Sequence, residues 1–189
     1  MKEMNIENGR MVTIDIEKAN VFAVVLMVVC GIALLVPFIL IWHDQWSRET
    51  VDEFFDSFLW RGSLFLVLMA VGIVVHELIH GITFACFAPS GWRSISFGIM
   101  KKMATPYCHC NEPLHPRPYI VAALMPLIVL GLIPAVICLV IGSFYLLLWS
   151  IVFIAAAGGD IWMAWLMTKE RPDCTVLDHP TEAGYYVFD

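Results

Sequence analysis

The stretch AVGIVVHELIHGITFACF, residues 70–87, decides how the chain is read. Most of it is apolar enough to sit in lipid, yet His76, Glu77 and His80 stand in its middle. On a helix, H-E-x-x-H sets two imidazoles on one face, about 6 Å apart along the axis. Two imidazoles in that relation can grip a single zinc ion. Glu77 is turned by about 100° from His76, so it can reach water at the metal without being a ligand. Metal-assisted hydrolysis needs that arrangement: zinc lowers the pKa of a water and the glutamate takes the proton. With 6 His in 189 residues, the pattern arises by chance in roughly 1 of 100 such chains. A set of polar residues gluing helices together by hydrogen bonds does not require this spacing. Ionisable groups at membrane depth cost on the order of 3 kcal/mol each for Asp, Lys or Arg, and they mark function.

The motif lies in an apolar run of residues 58–88, which stops at Pro89-Ser90-Gly91. An earlier run, residues 20–42, is long enough to span a bilayer and contains Pro37. Residues 43–56 between them read as a surface loop or an interfacial helix. Residues 119–168 are mostly apolar and too long for one helix. Gly142-Ser143 divides them into spans 119–141 and 144–168, with Gly131 to Pro134 as a rival break. The chain is 60% hydrophobic and its mean hydropathy is +0.78, where a soluble domain is nearer half apolar. The expectation is therefore one domain over residues 1–189, an all-α polytopic membrane protein with four transmembrane helices and the lipid bilayer as its solvent. A net charge of -6 without a basic patch excludes nucleic acid as a partner. Residues 1–18 are of mixed charge and precede a run too long for a signal peptide, so no cleavable leader is expected.

Between the second and third spans comes WRSISFGIMKKMATPYCHC, residues 92–110. Its alternation predicts a short β-hairpin within residues 92–112 at the membrane surface, with Lys101-Lys102 as the turn. Residues 169–189 form a polar, then aromatic, tail. Its YYVF, residues 185–188, is strand-like. Two readings stand: it pairs with the hairpin and blocks a groove there, or it is a docked terminus. Four spans put both termini on one side. That side carries Lys2, Arg10, Lys18, Arg93, Lys101, Lys102, Arg117, Lys169 and Arg171, against Arg48 and Arg61 on the other. The bias places both termini, the hairpin and the tail in the cytoplasm.

A catalytic zinc wants a third protein ligand. The last span offers IAAAGGDIWMAW, residues 154–165, in which Asp160 is the only acid of the final two spans. By helical rise, Asp160 lies roughly 13 Å above the end of its helix and the His76–His80 midpoint roughly 16 Å above the end of its own. Small residues at Ala156, Gly158 and Gly159, and at Gly72 and Gly81, allow the two helices to approach closely. Other readings remain open. Asp160 orients a histidine or makes a helix–helix hydrogen bond instead of binding metal, or His109, Glu112 or His115 supplies the third ligand from the loop. Cys108 and Cys110 form a C-H-C triplet that is either a second metal site or an ordinary loop. Cys30, Cys86 and Cys138 lie in apolar runs and read as packing residues, and a cytosolic loop stays reduced.

H-E-L-I-H in a membrane helix, with an Asp in a later one after small residues, resembles the site-2-protease class of intramembrane zinc metalloproteases. More closely, the arrangement resembles a family of small bacterial membrane proteins described as zincin peptidases. The resemblance rests on H-E-L-I-H-G at 76–81, P-Y-C-H-C-N-E-P-L at 106–114, Y-I-V-A-A-L-M-P-L at 119–127, A-G-G-D-I at 157–161 and V-L-D-H-P-T-E-A-G at 176–184. It implies zinc held by His76, His80 and Asp160, Glu77 as general base, and a peptide bond of a membrane protein or peptide as substrate. The site-2-protease signature sets its aspartate between Asn-Pro and Gly, whereas here Gly158-Gly159 precede Asp160 and Ile161 follows. Two alternatives come from other classes. A metal carrier or transporter would show internal repeats and paired broken helices, and a structural metal site would be closed by four ligands.

Overall fold

The computed structural model describes residues 9–46, 48–100, 105–179 and 182–189. The protein is mostly helical, with small antiparallel sheets at one end. Helix α1, Ile16–Ile41, starts earlier than the expected residue 20, because Asp15 caps it by accepting from the Lys18 N–H at 3.1 Å. It runs through Pro37 and ends at Trp42, whose indole N–H donates to Leu139 O at 3.0 Å.

A short 3₁₀ turn, His43–Trp46, leads into α2, Arg48–Phe87. The expected surface segment is thus largely the first turns of α2, and the apolar part of that helix is Leu59–Phe87. The helix stops before Pro89, which has no N–H to continue it.

The third apolar span is Pro116–Ile141, not 119–141. It is built of α3 (Pro116–Pro126), a π-helical turn (Leu127–Leu132) and α4 (Ile133–Ile141). The wide turn has a cause. Pro134 lacks an N–H and its ring crowds the carbonyl four residues back, at Leu130. The Trp149 indole N–H takes that carbonyl instead, at 3.0 Å. The rival break near Gly131 is therefore a bulge within a continuous helix. The chain turns at Gly142, which is left-handed at φ 71°, and Ser143 caps the next helix by accepting from the Leu146 N–H.

The expected fourth span, 144–168, is two helices: α5 (Phe144–Ala156) and α6 (Gly158–Met167), bent by 41°. Among the described residues, three helices are long and apolar enough to cross a membrane, or four if the bent pair counts as one span. Only 6% of the most apolar window of α1 is buried inside the protein, so that helix presents nearly bare hydrocarbon outward.

The hairpin is present as β2 (Ile95–Met100) and β3 (Thr105–Cys110), narrower than residues 92–112. The Lys101-Lys102 turn lies outside the described residues. The expectation of helices plus one hairpin omits a second sheet. Strands β1 (Arg10–Thr13), β4 (Thr175–Asp178) and β5 (Gly184–Phe188) form an antiparallel sheet in the order β1-β5-β4. The tail strand therefore pairs with the N-terminal strand and not with the hairpin, which corrects the reading that YYVF closes a groove by pairing there. The reason is burial. Tyr185 and Val187 of β5 enter a core shared with Phe84, Cys110, Tyr119 and Val176. A second, smaller core of Phe38, Cys138 and Leu147 ties α1, α4 and α5 together at the other end.

Candidate metal centre

His76 and His80 lie one turn apart on α2, both buried, with ring centroids 4.9 Å apart and an edge-on angle of 74°. Their Nε2 atoms are 3.2 Å from one another. Asp160 closes the triangle: its Oδ2 is 3.1 Å from His76 Nε2 and its Oδ1 is 3.3 Å from His80 Nε2.

The break between α5 and α6 brings the carboxylate there. Helix α6 restarts at Gly158 and Asp160 falls in its first turn, where the helix dipole favours an anion. Gly158 packs closely against α1 at Ala23. A Cβ on it would lie 2.7 Å from Ala23 Cβ and 3.0 Å from Ala23 Cα.

His80 is oriented from the opposite side. Its Nδ1 is 3.0 Å from Ala122 O. A carbonyl oxygen can only accept, so the proton sits on Nδ1 and the Nε2 lone pair points into the triangle. That carbonyl is free for a simple reason. Its helical partner four residues on is Pro126, which has no N–H. His76 Nδ1, by contrast, is buried and has no hydrogen-bond partner.

These donors fit a metal ion. A tetrahedral zinc with bonds of about 2.0–2.1 Å separates its ligands by about 3.3 Å; the two Nε2 atoms are 3.2 Å apart, and each has a different oxygen of the Asp160 carboxylate within 3.1–3.3 Å. Without a cation, the His80 lone pair faces a carboxylate oxygen with no proton on that nitrogen to bridge them. Among the described residues, His76, His80 and Asp160 are the one group of this kind able to hold a metal.

The centre opens into a cavity of about 760 Å³. Glu77 lines it beside the three candidate ligands without joining their cluster, and Cys108 of β3 lines the same cavity. The hairpin contributes Tyr107, Cys108 and His109 to the wall, and the tail contributes Asp178 and His179.

The rival ligands stand outside the cluster. His109 Nδ1 lies 3.7 Å from Asp178 Oδ2. Glu112 accepts from Ser90 through both its backbone N–H, at 2.9 Å, and its hydroxyl, at 2.5 Å. His115 Nδ1 donates to Cys174 O at 2.9 Å. Burial pushes the thiols of both Cys108 and Cys110 up, away from the thiolate a metal wants. The C-H-C triplet is part of a strand and not a second metal site among the described residues. Sequence reasoning missed Ala122, Pro126, Tyr119 and Asp178. The signal for the first three was the Y-I-V-A-A-L-M-P-L motif, whose proline in an apolar helix leaves a carbonyl in search of a donor.

Among the described residues, then, a triad able to hold a metal ion is set on two helices, in a bundle with three or four helices long and apolar enough to cross a membrane. The chain belongs to the family described as "Putative zincin peptidase", whose model matches residues 69–175. The family implies zinc, and its name points to a metallopeptidase. No curated protein and no solved structure matches the chain.

Proposed function

We propose that the protein is an intramembrane zinc metalloprotease of the site-2-protease kind, hydrolysing peptide bonds of membrane-embedded or membrane-proximal substrates. His76, His80 and Asp160 hold the metal and Glu77 is the general base. The observation that carries this reading is the convergence of two imidazole nitrogens and one carboxylate, at 3.1–3.3 Å, beside a glutamate that shares their cavity but not their cluster. Zinc bound there supplies Lewis-acid activation for attack on an amide. Glu77 takes the proton of the attacking water and then delivers it to the leaving amine.

The remaining residues shape the substrate's path. Apolar helices left largely bare, with 6% and 11% of the most apolar windows of α1 and α2 buried, support a lipid surrounding. The pairing of β1 with β5 brings both ends of the described chain to the end of the bundle where the hairpin lies, in accord with both termini being cytoplasmic. The outer edge of β3 runs past Glu77 and receives an extended peptide through main-chain hydrogen bonds. Prolines placed along that edge then abolish cleavage and leave zinc content alone.

The carrier reading has no paired broken helices in its favour, since among the described residues one span alone is broken, the last. A structural zinc needs a fourth ligand, and the described residues bring three together. The deciding experiment measures zinc and cleavage in purified wild type, Glu77→Gln and His76→Ala. The glutamine variant keeps zinc and loses cleavage by a factor of about 10²–10⁴, while the alanine variant loses both. Equal cleavage by wild type and Glu77→Gln rejects the assignment.

A further inference from the structure

Three of the family-like motifs supply neither a metal ligand nor the base in the reading above: P-Y-C-H-C-N-E-P-L, Y-I-V-A-A-L-M-P-L and V-L-D-H-P-T-E-A-G. In the fold they meet at one carboxylate. Asp178, the last residue of β4, is buried at 8% exposure. Its Oδ2 accepts the Cys110 backbone N–H at 2.9 Å, and its Oδ1 accepts the Tyr119 hydroxyl in a short hydrogen bond. The His109 ring is 3.7 Å away through Nδ1. So one side chain of the tail binds the hairpin and α3 together, at the wall of the cavity that holds Glu77.

The hairpin register says what that binding does. Asn111 N–H donates to Ser94 O at 2.8 Å, so hydrogen-bonded pairs alternate along the ladder from Ser94 and Asn111. Ser96 pairs with His109 and Gly98 with Tyr107 in that class, while Cys108 and Cys110 fall in the other. The N–H groups of Cys108 and Cys110 therefore point off the free edge of β3. The Cys110 amide is taken by Asp178, and Cys108 lines the same cavity as Glu77. Asp178 thus ends the free edge at Cys110 and holds in place the neighbouring edge amide of Cys108, in the cavity that Glu77 lines. A buried carboxylate is a poor choice for merely stapling a tail, because apolar side chains would do that at no desolvation cost.

We propose that Asp178 is a positioning residue of this peptidase site: it holds the β3 edge, with His109 beside it, at the height where an extended peptide must lie to be reached by Glu77. The proposal rests on the peptidase reading. It makes the C-terminal strand part of the substrate-binding apparatus and makes the usable edge short, closed at Cys110.

The test uses full-length protein in detergent micelles and a pool of quenched-fluorescent peptides of randomised apolar sequence. Asp178→Asn and Tyr119→Phe remain folded by thermal melt and bind zinc as wild type does. Amide exchange at Cys108 and Cys110 quickens in both. KM rises about tenfold for Asp178→Asn, the loss of a hydrogen bond to a charged acceptor, and less for Tyr119→Phe, with kcat changed by less than about twofold. A KM that stays at the wild-type value while Cys110 exchange quickens overturns the proposal and leaves Asp178 a staple. Unchanged exchange at Cys110 also overturns it, whatever happens to cleavage. Failure of the peptidase reading looks different: zinc-loaded wild type then neither binds nor cleaves any peptide of the pool, and the proposal falls with it.

Discussion

His80 Nδ1 lies 3.0 Å from the carbonyl oxygen of Ala122, on a helix that follows it in sequence by more than a hairpin. That carbonyl has no helical partner because Pro126 stands where an N–H is needed. A proline in α3 therefore decides which nitrogen of a histidine on α2 carries the proton.

Pro126→Ala restores the missing N–H and offers Ala122 O a competing donor. The helix regains a bond, but His80 loses its orienting partner. Zinc affinity falls about 10-fold or more, the size seen when such orienting contacts are removed. A competition titration with a chromophoric chelator measures it. Affinity equal to wild type rejects the role assigned to Pro126.

Gly158 and Gly159 are neighbours with opposite tolerances. A methyl group at Gly158 meets Ala23 at 2.7 Å, backbone included at 3.0 Å, whereas at Gly159 nothing lies within 4 Å. Gly158→Ala forces α6 off α1 and costs about 1–3 kcal/mol, with weaker zinc binding because Asp160 moves with the helix. Gly159→Ala is neutral, or stabilising by about 0.5–1 kcal/mol. Thermal melts and zinc titrations of the pair check both statements at once.

Glu112 is held by the N–H and hydroxyl of Ser90, and these bonds keep its carboxyl below the ordinary range. A folded value below the unfolded one contributes stability above about pH 4.3, and that contribution disappears as pH falls through the lowered value. The melting temperature of wild type should therefore exceed that of Glu112→Gln at neutral pH, and the gap should close on acidification. A gap that stays constant from neutral to acid pH contradicts the assignment.

Tyr185 is completely buried, at 0% exposure, in the central strand of the terminal sheet. Tyr185→Ala opens a cavity under the tail and costs about 3–5 kcal/mol, read as a large drop in thermal midpoint. A tail lying loosely on the surface would lose almost nothing.

Much of this protein is legible in local chain chemistry. The spacing of His76, Glu77 and His80 fixes their relation on any helix, because helical geometry is a property of four or five consecutive residues. Hydrocarbon runs of sufficient length announce the spans, and Gly142-Ser143 announces a turn, for the same reason. Asp160 could be nominated too, since an acid in an otherwise apolar span is costly without a purpose.

What the tertiary structure alone decided are the relations between distant segments. The break at Ala157 depends on α6 packing against α1 at Ala23, a contact that hydropathy does not encode. The partner of β5 is β1, at the far end of the chain, and both were short enough to pass for loose termini. Asp178 reads locally as one more polar residue of a tail. It becomes the meeting point of β3, α3 and β4 only when packing removes it from water and leaves the Cys110 amide and the Tyr119 hydroxyl as its partners. Periodicity is written in neighbouring residues, but which buried polar groups satisfy one another is settled only where the whole chain closes upon itself.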